Sequence, residues 1–157
     1  MKIWFTKNNS KQYSIRYERD NGSSTWMKAD SFFIRHDLSH YAIEKTLGYK
    51  TAFFGMINHG MEPMDFEDNV KRKLIPITSD ACYAENMANL FLMEIAQEPL
   101  ADFNGTLKEA FVPIGATVEA PVLEDVQLTA IRKLLRQLWW EWDLLPVGQS
   151  ILLTIEC

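Results

Sequence analysis

Apolar and polar residues alternate over the first part of the chain, as they do in antiparallel strands that bury one face. The alternation, with turn signals between the runs, predicts three short strands, at residues 2–6, 13–18 and 25–27. The last two are separated by Asp20-Asn21-Gly22, residues that tolerate the positive φ angles of a tight hairpin. We therefore expect the chain to open as a β-hairpin or meander.

The end of the chain repeats this alternation. Ile151, Leu153 and Ile155 share one side of a strand, and Thr154 and Glu156 take the other. Two or three strands alone are only marginally stable in water. We therefore expect the C-terminal strand to join the N-terminal ones in a single small antiparallel sheet.

The middle of the chain has the apolar spacing of helices. A first helix should begin at a cap formed by Asp30 or Ser31 and run to Leu47, where Gly48 stops it. Further helical segments are expected at residues 51–58, from a cap at 78 or 79 to before Pro99, at 104–111, and after Pro121.

Together these elements predict an α+β fold, with a small antiparallel sheet and about four helices packed on one of its faces. The chain has 157 residues, of which 47% are hydrophobic and 24% are charged. That size and composition are typical of one globular domain with one core. We expect residues 1–157 to form this single domain.

Charge and apolar runs limit the partners that the chain can have. The formal net charge is -5, which disfavours nucleic acid because the phosphate backbone is also negative. No apolar run approaches the roughly 20 residues that a membrane span needs, and we expect no leader before the first strand. Cys82 and Cys157 lack the spacing of a disulfide framework or a metal knuckle. We expect a cytoplasmic protein that binds neither nucleic acid nor membranes.

The residues with chemical potential lie on the first helix. A helix turns about 100° per residue, so His36, His40 and Glu44 follow one another about 40° apart and project from one side. His59 is the one other histidine, and Glu85 flanks the apolar face of the third helix. The pattern predicts a site for a divalent metal such as zinc, in which His36 and His40 are joined by His59, Glu44 or Glu85.

Two alternatives need no metal. Asp37 and Tyr41 lie between these residues and are expected to orient the imidazoles. In the first alternative the histidines are buried and neutral, and their ring nitrogens bond Asp37, Glu44, Tyr41 or a carbonyl group. The last alternative is that the histidines serve helix packing alone. Buried ionisable groups are costly unless paired, and this favours a functional cluster.

The segment His36-Asp37-Leu38-Ser39-His40 resembles the H-E-x-x-H helix of zinc peptidases. The 18 residues between His40 and His59 are close to the spacing at which one branch of those enzymes places a third ligand. Asp37 replaces the glutamate that acts there as general base, and its side chain is one methylene shorter. Peptidase activity is therefore not the favoured interpretation.

The segment from His36 through Glu44 to Phe53-Phe54-Gly55 also resembles a family of small uncharacterised bacterial proteins. That family carries an H-D-x-x-H-x-x-x-E signature. The resemblance implies that His36, Asp37, His40 and Glu44 are important, and it implies no particular reaction.

Two classes of function follow, with a purely structural role behind them. The first is a binding or interaction module, in which the cluster underlies a pocket for a small-molecule ligand. The second is a metal-dependent hydrolase of the zinc type, with His36 and His40 as ligands. The module is favoured because no full catalytic constellation is visible. Trp140, on the opposite side of the last helix from Ile131, is a candidate contact for a homo-oligomer or another partner.

Overall fold

Four strands form one antiparallel sheet in which the C-terminal strand lies beside the N-terminal one. The strand order is β3-β2-β1-β4, and the strands span Lys2–Lys7 (β1), Tyr13–Glu18 (β2), Ser24–Ala29 (β3) and Ser150–Thr154 (β4). The computed structural model describes residues 1–66, 68, 70, 71, 74, 76–111 and 119–157.

One face of the sheet is buried and the other faces solvent, as the alternation predicts. Ile3 is paired with Tyr17 and Phe5 with Ile15, and all four side chains are fully buried. Arg16, between Ile15 and Tyr17, points outward, and so does its partner on β3, Trp26, which is 62% exposed. Burial of one row of apolar side chains fixes the register, because a slip by one residue would turn that row towards water.

Five α-helices lie between β3 and β4 in the described part of the chain. They span Ser31–Leu47 (α1), Phe53–Asn58 (α2), Ser79–Ala96 (α3), Phe103–Phe111 (α4) and Asp125–Leu144 (α5). A single 3-10 turn, Pro63–Asp65, follows α2. No helix among the described residues combines the length and the apolar character that crossing a membrane requires.

Helix α1 lies at the centre of the fold, in contact with α3, α5 and the sheet. Its first turn is capped by Asp30, whose carboxylate accepts the backbone N–H groups of Phe32 and Phe33. It ends at Gly48, whose φ of 70° is left-handed and whose N–H donates to the carbonyl of Glu44. Both ends of α1 therefore lie where the sequence predicts them.

The prediction of an α+β fold is confirmed. The sheet and the helices share one core of buried apolar side chains, to which the strands, α1, α3, α4 and α5 all contribute. Because α1 packs between the sheet and the other helices, even some polar residues of its central turns are buried, and the chemistry of the molecule is found there.

Candidate metal centre

Helices α1 and α3 bring three side chains together. His36 and His40 lie one turn apart on α1, with ring centroids 4.7 Å apart, and Glu85 faces them from α3. The Oε2 atom of Glu85 lies 3.2 Å from Nε2 of His40 and 3.6 Å from Nε2 of His36. One ligand atom from each of the three residues lies within 4.8 Å of the other two. We call these three residues the His-His-Glu group.

The other nitrogen of each imidazole faces a carboxylate of α1 itself. Nδ1 of His36 lies 3.4 Å from Oδ1 of Asp37, and Nδ1 of His40 lies 3.1 Å from Oε1 of Glu44. A carboxylate at Nδ1 favours a proton on that nitrogen and leaves Nε2 free to bind. Asp37 therefore lies behind the His36 ring, and its role as an orienting residue stays a prediction.

Glu44 was a candidate ligand, and the structure gives it a different position. Its side chain is fully buried, with Oε1 at His40 and Oε2 accepting the backbone N–H of Phe54 at 3.1 Å. Both oxygens are thus used away from Glu85. Burial raises the pKa of the Glu44 carboxyl, and the contact with His40 opposes that rise. Glu44 orients His40 and joins α1 to the start of α2.

Tyr17 belongs to the same network, although sequence reasoning did not select it. Its hydroxyl donates to Oδ2 of Asp37 at 2.8 Å, from the buried face of β2. Burial, together with the Asp37 charge, raises the pKa of Tyr17 well above its ordinary value, so the hydroxyl stays protonated as a donor. The sequence does contain a signal for this role of Tyr17, because a tyrosine on the buried face of a strand must find a hydrogen-bond partner for its hydroxyl.

The charges of the group are strongly coupled when no metal is present. Burial alone would lower the pKa of His40, but its hydrogen bonds with Glu44 and Glu85 outweigh burial and raise the pKa to about 10. Burial alone would raise the pKa of Glu85, but the two imidazoles hold it far below its usual range. The metal-free group is therefore an imidazolium–carboxylate network.

Two phenylalanine rings border the His-His-Glu group. Phe32 stacks on His36 with centroids 5.8 Å apart, and Phe53 lies against His40 at 5.1 Å. The Glu85 side chain is 49% exposed, whereas that of His40 is 2% exposed. The group is therefore held from the interior and is accessible from the side of Glu85.

The structure does not bring His59 or Tyr41 into the group. His59 is exposed after the end of α2, where its Nδ1 donates to the carbonyl of Gly55 at 2.7 Å. The Tyr41 hydroxyl donates to the carbonyl of Thr154 and accepts from Lys45. Tyr41 therefore connects α1 to the end of β4, and His59, after the short α2, lies outside the His-His-Glu group.

Trp140 has the exposure expected of a contact residue. It is 65% exposed on α5, while Trp142 of the same helix is 3% exposed and packs edge-on against Tyr13. Its role as an interface residue stays a prediction.

The stability of the metal-free protein should depend on pH through His40. The pKa of His40 is raised from 6.5 to about 10 on folding. The stabilisation of the folded state by protonated His40 is therefore complete below pH 6.5 and is lost as the pH rises towards 10. We expect the unfolding temperature of chelator-treated protein to fall over that interval, and to fall less in His40→Gln. His59→Gln is the matched control and should keep the wild-type slope. Equal slopes in all three proteins would contradict this assignment.

Comparison of the chain with protein-family models, with curated proteins and with solved structures gives no match. The resemblance to small bacterial proteins with the H-D-x-x-H-x-x-x-E signature therefore stays a prediction, and function has to be argued from the site.

Proposed function

We propose that the protein binds one divalent transition-metal ion through Nε2 of His36, Nε2 of His40 and the Glu85 carboxylate. One observation carries the proposal. Both Nε2 atoms face the same Glu85 oxygen, while both Nδ1 atoms face carboxylates of their own helix. Proteins commonly orient metal-binding histidines in this way, with a carboxylate behind the ring.

The two separations that involve Glu85 suit a shared metal ion. Ligand atoms bound tetrahedrally at about 2.0–2.1 Å lie about 3.3 Å from one another. The distances from Glu85 Oε2 to the two Nε2 atoms are 3.2 and 3.6 Å. An ion would displace the protons of the imidazolium–carboxylate network and occupy the space between these atoms.

The ligand set indicates which metals to test first. Two imidazole nitrogens and one carboxylate oxygen suit Zn²⁺, and also Fe²⁺ or Mn²⁺. Three protein ligands would leave at least one position open, and the half-exposed Glu85 side chain supports access to that position from solvent. A small molecule that offers a carboxylate, phosphate or carbonyl oxygen would bind there, so the protein acts as a metal-dependent binding module.

Hydrolysis is the second candidate function, and the exposure of the group on the side of Glu85 favours it. A bound metal would supply Lewis acidity towards a carbonyl or phosphoryl oxygen. Asp37 is poorly placed as a general base, because Tyr17 holds Oδ2 and Oδ1 faces His36. The Oε1 atom of Glu85, which accepts from Asn89 at 3.3 Å, is the better-placed carboxylate oxygen. Because Glu85 is also one of the proposed metal ligands, the binding module remains the primary proposal.

The proposal is tested by metal content. Protein without a histidine tag, purified without chelator, should contain about one zinc, iron or manganese per chain by mass spectrometry. His40→Gln and Glu85→Gln should both lose the metal, because each removes one of three ligands. His59→Gln is the matched control, since it removes a histidine outside the group, and it should keep full occupancy.

Two results would overturn the proposal. One is wild-type protein that stays empty after titration with zinc, iron(II) and manganese. The other is full occupancy in folded Glu85→Gln and His40→Gln, which would place the metal elsewhere. Circular dichroism establishes that each variant is folded, and Glu85→Gln is the safer variant because its side chain is half exposed.

A further inference from the structure

Tyr17 lies behind the His-His-Glu group, on the side of the sheet. Its side chain is fully buried on the inner face of β2, and its hydroxyl donates to Oδ2 of Asp37 on α1 at 2.8 Å. Among the described residues no hydrogen bond joins Tyr17 to either imidazole. An effect of Tyr17 on the group must therefore pass through the residues that it touches.

Asp37 connects Tyr17 to the first imidazole. While Oδ2 of Asp37 accepts from Tyr17, its Oδ1 lies 3.4 Å from Nδ1 of His36. The carboxylate cannot rotate without breaking the bond to Tyr17. Its side chain is only 5% exposed, so water offers little replacement for a lost partner. The position of the carboxylate behind His36 therefore depends on the Tyr17 hydroxyl.

The ring of Tyr17 reaches the second imidazole through Phe53. Tyr17 lies edge-on to Phe53 with centroids 6.5 Å apart, and the Phe53 ring lies 5.1 Å from the ring of His40. Edge-on aromatic pairs have a preferred geometry, so they restrict the rings that they join. One residue of the sheet therefore supports both histidines of the group.

The two imidazoles are held with different firmness. His40 is 2% exposed, and its ring nitrogens lie 3.1 and 3.2 Å from the carboxylates of Glu44 and Glu85. His36 is 15% exposed, and its ring nitrogens lie 3.4 and 3.6 Å from Asp37 and Glu85. His36 is thus the less constrained ring, and the support behind it matters more.

We propose that Tyr17 is a positioning residue of the metal site, which acts on His36 through Asp37 and on His40 through Phe53. This inference rests on the proposed function, since it concerns the affinity of the same site. Loss of a partner behind a metal-binding histidine typically lowers metal affinity 10–100-fold. The contact of α1 with the sheet therefore contributes to the affinity for metal as well as to the core.

Zinc affinity tests the role of the hydroxyl. Tyr17→Phe removes the hydroxyl and keeps the ring, and competition with a chelator of known affinity should show a Kd at least about tenfold higher than in the wild type. Tyr41→Phe is the matched control. It also removes a buried hydroxyl that joins α1 to the sheet, but that hydroxyl donates to Thr154, away from the group. Its Kd should equal that of the wild type.

A spectroscopic measurement separates positioning from stability. Co²⁺ in place of Zn²⁺ gives a visible absorption spectrum that reports the geometry of the ligands. Tyr17→Phe should change this spectrum, because His36 would no longer be fixed by Asp37. Tyr41→Phe should keep the wild-type spectrum, even if its unfolding temperature falls. A Tyr17 that served the fold alone would leave the spectrum of the folded variant unchanged.

A double-mutant cycle tests whether the hydroxyl acts through Asp37. Asp37→Ala removes the residue between Tyr17 and His36. In that background Tyr17→Phe should change the Kd for zinc by less than about twofold, because effects that pass through one residue are not additive. A full tenfold loss in the Asp37→Ala background would contradict this route.

The inference is overturned if Tyr17→Phe keeps both the Kd and the Co²⁺ spectrum of the wild type, or if Tyr41→Phe weakens zinc binding to the same extent. Both outcomes are measured against a wild type that binds zinc, so they leave the proposed ligand set intact. A wild type that binds no zinc would instead overturn the proposed function, and this inference with it.

Discussion

Replacing Glu44 with alanine is expected to destabilise the protein by about 3–5 kcal/mol, the usual cost of removing one partner from a buried charged pair. The Glu44 side chain is fully buried between Nδ1 of His40 and the backbone N–H of Phe54. Its loss leaves the buried Nδ1 of His40 without its carboxylate and the first turn of α2 without its acceptor. Denaturant unfolding of metal-free protein measures the change.

Two variants make this result specific. Glu44→Gln keeps the volume, and its amide can accept from Phe54 while donating to a neutral His40, so a clearly smaller loss is expected. Glu109→Ala removes an exposed glutamate from α4 and should change stability by less than about 0.5 kcal/mol. If Glu44→Ala were no more destabilising than Glu109→Ala, the buried network would not contribute to the fold as described.

Metal binding is expected to raise the unfolding temperature by a large amount. A ligand at a free concentration about a hundred times its Kd stabilises the folded state by about 2.7 kcal/mol. For a chain of this size that corresponds to about 5–10 °C. Thermal unfolding of chelator-treated protein, with and without added Zn²⁺ at one fixed pH, measures the shift.

The controls separate the His-His-Glu group from weak surface binding. His59→Gln should show the wild-type shift, whereas Glu85→Gln should show little or none. Mg²⁺ should act poorly in place of Zn²⁺, because it prefers oxygen ligands to imidazole nitrogen. An unchanged shift in Glu85→Gln would contradict the proposed ligand set, even if the wild type binds zinc tightly.

Local chemistry determined much of this protein from sequence alone. The ends of α1 follow from an aspartate that caps free N–H groups and a glycine that accepts a left-handed backbone. The placement of His36 and His40 on one side of α1 follows from helical periodicity. The buried and exposed faces of the strands follow in the same way from a period of two. These features depend on residues at most a few positions apart.

Only the tertiary structure decided how these elements meet. Glu85 lies 45 residues from His40 in the chain, and the packing of α1 on α3 selects it as the third member of the group. Contacts of α1 with α2 turn Glu44 towards Phe54, and contacts of α1 with β2 direct Asp37 to Tyr17. His59, at the end of α2, lies outside the group. Spacing along one helix could not choose among His59, Glu44 and Glu85, because that choice depends on which buried polar atoms find partners after distant elements pack together.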